Sequence, residues 1–364
     1  MEGQSPLGLA VVVRGESALR SHGQPIPCVR FPMTTGETKP EENWRTDALS
    51  SWLPEDWRSP SAWLEQAHRA ARVLRRDVAH ATPWQLRQAI EVASRLNPGP
   101  WGGDFLEVKT EHWHGAEVKW KEHDEGTVVW VHGGAFAFGS PRVYRAAAVH
   151  LARQSRCKVV LPAYRLAPEH PFPAAHDDVL SMLRHCLSKG EKLVLMGDSA
   201  GANLVLSAVE QCQKEGLDLA PLAGLAVLSP WCDLRQSSAS VAQNAVAHSP
   251  FDQRDALEYI HNYLNGHDPK DPRVCPLLSS FQNWPPVYLE YAEDEFLAPD
   301  VKVLEERFQK AGVVLHVRTE PRAVHGWQVL PEWLPEARRS SLAMGSWVRN
   351  ALSLPPLSSP SSKG

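Results

Sequence analysis

From residue 105 onward the chain alternates short apolar runs with segments of helix length, and this alternation constrains the fold more than any other feature. The apolar runs lie at 105–109, 118–120, 127–132, 157–163, 192–197, 222–228, 287–291 and 313–317. Helix-length segments at 142–154, 174–188, 200–215, 298–310 and 337–352 separate or follow the later ones. The run Lys192-Leu193-Val194-Leu195-Met196 is apolar at successive positions, so both faces of the strand it predicts must be covered, as in the middle of a parallel sheet. The pattern predicts a mostly parallel central sheet with helices on both faces. At 364 residues, 43% hydrophobic and 22% charged, the chain has enough apolar material for one large domain of this kind.

The first hundred residues lack that rhythm. They hold Trp44, Trp52, Trp57, Trp63 and Trp84 among many prolines. Trp63, Ala67, Ala70, Ala71 and Leu74 recur at helical spacing and predict an amphipathic helix over 61–76. Thr82 as N-cap and Pro83 at the first helical position predict a second, running to residue 96 and stopped by Asn97-Pro98-Gly99-Pro100. A second interruption falls between Leu228 and Val287, where nearly sixty residues stand in place of a short crossover. It contains a helical stretch at 251–264 and a proline-rich return at 268–276. The expected organisation is therefore an N-terminal extension with cap helices over 1–100, a catalytic domain over 101–352 with a lid insertion at 232–284, and a disordered Pro/Ser-rich tail at 353–364.

Three constellations carry chemistry. Gly197-Asp198-Ser199-Ala200-Gly201 follows the 192–197 strand at once and opens the helix after it. Alone, a G-x-S-x-G match is weak; between a buried strand and a helix it is the arrangement that holds a serine oxygen exposed on a sharp turn. His132-Gly133-Gly134-Ala135 follows the 127–132 strand. Gly133, Gly134 and Ala135, with Ala200 from the elbow, are candidate oxyanion-hole residues, whose backbone N–H groups face a developing negative oxygen. Late in the chain, Glu293-Asp294-Glu295 follows the 287–291 strand and His325 follows the 313–317 strand, completing the order serine, acid, histidine.

Several motifs together resemble the hormone-sensitive-lipase family of α/β-hydrolases, which includes bacterial esterases, arylacetamide deacetylases and fungal steryl-acetate hydrolases. They are His132-Gly133-Gly134, the stretch Tyr164-Arg165-Leu166-Ala167-Pro168-Glu169-His170-Pro171-Phe172-Pro173, the Gly-Asp-Ser-Ala-Gly elbow, and the block from Pro285 to Gly312. The resemblance implies the α/β-hydrolase fold with a helical cap. It also implies a serine hydrolase with Ser199 as nucleophile, His325 as general base and, in ungapped register two residues before Leu297, Glu295 as the acid; Asp294 competes for that role. The chain departs from the family at Ala135, which replaces a third glycine, at Glu295 in place of the commoner aspartate, and in an N-terminal region about fifty residues longer than in compact members. Tyr164, Arg165 and Glu169 read as a structural turn that positions the following helix near the oxyanion loop.

The remaining features narrow the class. A formal charge of −4 argues against a nucleic-acid partner. No run of 18 apolar residues exists to span a membrane, and the segment from Leu7 to Val13 is short and lacks a basic stretch before it, so a cytoplasmic protein is expected. Six scattered cysteines (Cys28, Cys157, Cys186, Cys212, Cys232, Cys275) read as buried small hydrophobes. His112 and His114 flank Trp113 and read as a surface strand rather than metal ligands. The expected substrate is a small hydrophobic ester or amide, cleaved without metal or organic cofactor. Amide, lactone or biosynthetic acyl chemistry on the same site, or a non-catalytic ligand receptor, are the competing readings.

Overall fold

The computed structural model describes residues 14–15, 69, 82–95, 99–100, 102–235, 253–355 and 357. Nine strands form one sheet: β1 (Arg14–Gly15), β2 (Gly103–Lys109), β3 (His114–Trp120), β4 (Thr127–Val131), β5 (Lys158–Pro162), β6 (Leu193–Asp198), β7 (Leu222–Leu228), β8 (Val287–Ala292) and β9 (Leu315–Glu320). Their order is β1-β9-β8-β7-β6-β4-β5-β3-β2. The strands from β4 through β9, with the short β1, run parallel, and β3 alone runs against the rest, antiparallel to both β2 and β5. Helices α1 (Pro83–Arg95), α2 (Arg145–Ser155), α3 (Ala174–Ser188), α4 (Ala200–Lys214), α5 (Gln253–Leu264), α6 (Ala298–Lys310) and α7 (Pro335–Ala351), with short 3-10 turns at Pro276–Leu278 and Trp327–Val329, accompany them among the described residues.

Alternation along the central strands explains the two faces. Val129, Val131, Leu193, Leu195, Leu225, Val227 and Leu289 pack into one core with α3, α4 and α6. Their neighbours Val128, Trp130, Val194, Met196, Ala226, Leu228 and Tyr288 pack into the other with α2 and α7. Every residue of β6 is buried, as a strand covered on both faces requires. Truncating a side chain such as Leu195, fully enclosed there, costs about 2–5 kcal/mol.

From residue 103 onward each expected strand and helix is present, with ends that move by a few residues, as where β3 begins at His114 rather than Val118, and with one instructive shift. The apolar pair Val313-Val314 does not lie within β9, which runs from Leu315 to Glu320. Instead α6 closes with the N–H of Val313 on the Phe308 carbonyl and that of Gly312 on Gln309, both at 3.0 Å, a Schellman cap that buries Val313 beside Phe308. The strand then continues through Arg318, Thr319 and Glu320 because their charges are paired: Arg318 Nε donates to buried Glu290 at 2.8 Å, and Glu320 meets Arg318 and Arg339.

In the N-terminal region, α1 starts with a capping box. The Gln85 N–H donates to Thr82 Oγ1 at 3.3 Å and the Thr82 N–H to Gln85 Oε1 at 2.8 Å. The predicted helix at 61–76 lies outside the described residues except for helical Arg69, as do Cys28 and most of the tail. Of the insertion, α5 and the return are described; Ala256, Ile260, Tyr263 and Leu264 turn one face of α5 inward. The other five cysteines are free thiols, four of them buried. His112 precedes β3 and packs tilted against His185 with ring centroids 4.4 Å apart, whereas His114 opens the strand, so the two histidines do not share a strand face. Among the described residues no helix is long and apolar enough to cross a membrane.

Candidate active site

The site is built on the carboxyl ends of β4, β6, β8 and β9. Between β6 and α4 the chain turns on a single residue, Ser199, at φ 51° and ψ −119°. A side chain in that region costs about 1–3 kcal/mol and persists only where neighbours impose it. Here the Ser199 N–H donates to the Leu228 carbonyl at 2.9 Å, and the Ser199 carbonyl accepts from the Trp231 N–H at 3.1 Å. The turn also needs close backbone approach: a Cβ on Gly201 would stand 2.2 Å from the Val131 carbonyl oxygen.

His325 reaches Ser199 from the loop after β9. Its Nε2 lies 2.9 Å from Ser199 Oγ, and its Nδ1 lies 2.7 Å from Glu295 Oε2. With Nδ1–H donated to the carboxylate, Nε2 presents its lone pair to the serine hydroxyl. Glu295 is buried at the turn between β8 and α6, whereas Glu293 and Asp294 are exposed and Glu293 accepts from Thr319 Oγ1. Burial pushes the His325 imidazole down, but the hydrogen bond and charge of Glu295, with the charge of Asp198, outweigh it and hold the pKa above its ordinary value. The second oxygen of Glu295, Oε1, is buried with no hydrogen-bond partner.

The oxyanion loop corrects one expectation. The Gly133 N–H points inward, to Tyr144 Oη at 2.9 Å and Asp198 Oδ1 at 3.1 Å, and so is committed within the protein. The N–H groups of Gly134, Ala135 and Ala200 have no acceptor among the described residues; Ala200 opens α4, where helix N–H groups are free and the dipole is positive. Gly134 (φ 116°) could carry no side chain, since a Cβ would fall 2.0 Å from the Phe138 carbonyl oxygen. Ala135 and Phe136 follow at φ 51° and 60°, so the substituted alanine adopts the left-handed conformation at a cost of about 1–2 kcal/mol.

Beneath the loop lies a polar cluster with little signature in sequence. Asp198 accepts from Tyr144 Oη at 2.6 Å, from Trp130 Nε1 at 2.9 Å and from Gly133. Burial pushes its pKa up to about 6 despite those three donors. His132 is buried, its Nδ1 2.8 Å from the Gly133 carbonyl, and burial pushes its pKa down to about 4, so it stays neutral. It stacks on Tyr164, whose hydroxyl donates to the His132 carbonyl at 2.8 Å. Arg165 grips Asp178 of α3 through Nε and Nη2, and Glu169 pairs with Arg87 of α1, so the 164–173 stretch is the structural turn the sequence suggested. Asp198, His132 and Tyr164 stand in motifs that the sequence marks; Trp130 and Tyr144 are recruited by the fold.

A cavity of about 240 Å³ opens over Ser199 and His325. Ile90, Phe138, Trp231, Tyr259, Phe296 and Leu330 supply much of its apolar wall, drawn from α1, α5 and the loops.

The chain matches an alpha/beta hydrolase fold family over residues 128–329. It is 32% identical over 254 residues to an acetyl-hydrolase of Streptomyces hygroscopicus, covering 68% of this chain and 83% of that protein. It is likewise 32% identical over 263 residues to an esterase of Acinetobacter venetianus, covering 71% and 86%. Its fold superposes with a TM-score of 0.75 on the crystal structure of an esterase from the bacterial hormone-sensitive lipase family, at 27% identity, over 80% of this chain and 99% of that one. The chain belongs to the α/β-hydrolases, in the branch that resembles hormone-sensitive lipase.

Proposed function

We propose that the protein is a serine carboxylic-ester hydrolase in which Ser199, His325 and Glu295 carry out acyl transfer on small hydrophobic esters. The observation that carries this reading is the unbroken chain from Glu295 Oε2 through His325 to Ser199 Oγ, at 2.7 and 2.9 Å, opening into an apolar cavity. His325 takes the hydroxyl proton as Ser199 attacks the ester carbonyl, and then gives it to the leaving alkoxide. The N–H groups of Gly134, Ala135 and Ala200 receive the negative oxygen of the tetrahedral intermediate. Water, deprotonated by the same imidazole, releases the acid. Glu295 fixes the tautomer and stabilises the imidazolium. A cavity of about 240 Å³ is below the usual range of about 300–1,000 Å³ for ligand pockets, which favours short acyl groups. The segments that wall it, α1 and the insertion carrying α5, serve as cap and lid. A fluorophosphonate probe should label the wild type and leave Ser199→Ala unlabelled, with p-nitrophenyl acetate and butyrate preferred over long-chain emulsions. A folded wild type that resists labelling would instead support a ligand receptor.

A further inference from the structure

The oxyanion loop is strained, and a strained loop needs something outside it to hold it. Gly134, Ala135 and Phe136 take positive φ in succession, and the Gly134 carbonyl accepts from both Ala137 and Phe138 N–H at 2.9 Å, closing a tight turn. Its apolar anchor is Phe136, fully buried and stacked on Tyr263 at 3.8 Å. The Phe136 carbonyl accepts from the Ala167 N–H at 2.9 Å, which lashes the loop to the 164–173 turn. The polar anchor comes from a distant part of the chain. Arg87 of α1 donates from Nε to the Ala137 carbonyl at 2.5 Å and from Nη2 to the Ala167 carbonyl at 2.6 Å. Glu169 receives Nη1 and Nη2 at 2.9 and 2.7 Å and fixes the plane of the guanidinium.

We infer that Arg87 is a positioning residue for the oxyanion loop, clamping both segments that hold its donors and so making ester hydrolysis depend on the docking of α1. The inference rests on the reading of Ser199 and the loop given above. Three features of α1 support it. Arg87, Ile90 and Glu91 lie on one face at i, i+3 and i+4. Glu91 accepts a hydrogen bond from Ser140 at the far end of the loop, so α1 holds the loop at two points. Between those contacts Ile90 lines the cavity, so the helix that steadies the loop also touches the occupant. A lysine cannot reproduce the clamp, because an ammonium lacks the planar fork that serves two carbonyls and a carboxylate at once.

The test separates transition-state binding from substrate binding. R87A should lower kcat for p-nitrophenyl acetate by about 10- to 100-fold, less than the roughly 10²–10³ lost with an entire oxyanion donor. It should weaken a trifluoromethyl ketone, whose hemiketal oxyanion occupies the same hole, by a similar factor. KM should stay within about threefold, and the acid limb of the pH profile should not move, since His325 and Glu295 do not touch Arg87. R87K should be intermediate and E169Q milder; if R87A fails to fold, R87K is read by the same split. Folded R87A or R87K with unchanged kcat and ketone affinity, or with the loss confined to KM, overturns the inference. A wild type that hydrolyses no ester refutes the hydrolase reading instead, so the two failures are distinct.

Discussion

The two sides of the cleft are built by different means. On the sheet side, Ser199, Glu295 and His325 follow β6, β8 and β9, and the register of buried parallel strands sets the spacing among them. On the cap side, Ile90, Ala256 and Tyr259 come from α1 and α5, two helices outside the strand–helix framework. Polar contacts such as those of Arg87 and Glu91 seat α1. The difference teaches that in this protein the chemistry is a property of backbone geometry, while the fit of the substrate belongs to side chains on separable segments. Substitutions on the sheet side should therefore act on kcat, and those of cap side chains that line the cavity on the choice among substrates; Arg87, which acts through the oxyanion loop, is the one cap-side residue expected to act on kcat.

The largest effect should come from Ser199→Ala, which by analogy with loss of the nucleophile in serine proteases lowers kcat by about 10⁶-fold with the fold retained. Turnover close to wild type in the purified variant would move the nucleophile elsewhere. Next, Glu295→Gln should cost roughly 10⁴ in kcat by leaving the wrong histidine tautomer. Asp294→Asn, exposed beside it, should change kcat by less than about threefold, since screening by solvent leaves little interaction to lose. A larger effect at Asp294 would reverse the assignment.

The pH profile sharpens the same contrast. His325 acts only when neutral, and its pKa is held above the ordinary value, so kcat/KM should fall as pH drops through a point above 6.5. Glu295→Gln removes the main raising influence and should shift that limb to lower pH. Asp198, itself pushed up to about 6, contributes to the rise only while ionised. A limb that stays put in Glu295→Gln would mean another group governs it. The smallest effect belongs to the cap: Tyr259→Ala should alter the ratio of butyrate to acetate turnover by up to about tenfold, the scale of one or two methylenes in an apolar pocket. Acetate kcat should remain within about twofold, as checked by paired initial-rate measurements.

Legibility in the sequence follows the same division. Ser199 is readable because the elbow is local: strand, tight turn and helix are contiguous, and each leaves its own mark. Glu295 is chosen over Asp294 by register, and burial of one carboxylate with exposure of the other is the physical counterpart of that one-residue difference. Adjacent loop amides look alike in sequence, so Gly133 reads there as one more oxyanion-hole residue. Its actual direction is decided by Tyr144, 11 residues away, and Asp198, 65 away, which no local pattern reveals. The same limit hid Trp130 under the loop and Arg87 upon it. The start of β9 is masked in the sequence for a different reason. Val313 is apolar in order to cap α6, while the charged residues of the true strand are tolerated inside by pairing.

The hydrogen bond from the Trp231 amide to the Ser199 carbonyl has a metrical consequence. Asn203, one turn into α4, grips the Trp231 carbonyl at 2.8 Å and that of Val274 at 2.9 Å, so this wall of the cavity is fastened to the same helix the serine opens. Nucleophile and wall thus belong to one rigid frame. A group resting against Trp231 is gauged by a ruler whose zero mark is the Ser199 oxygen itself, and a change in α1 or α5 leaves that scale where it is.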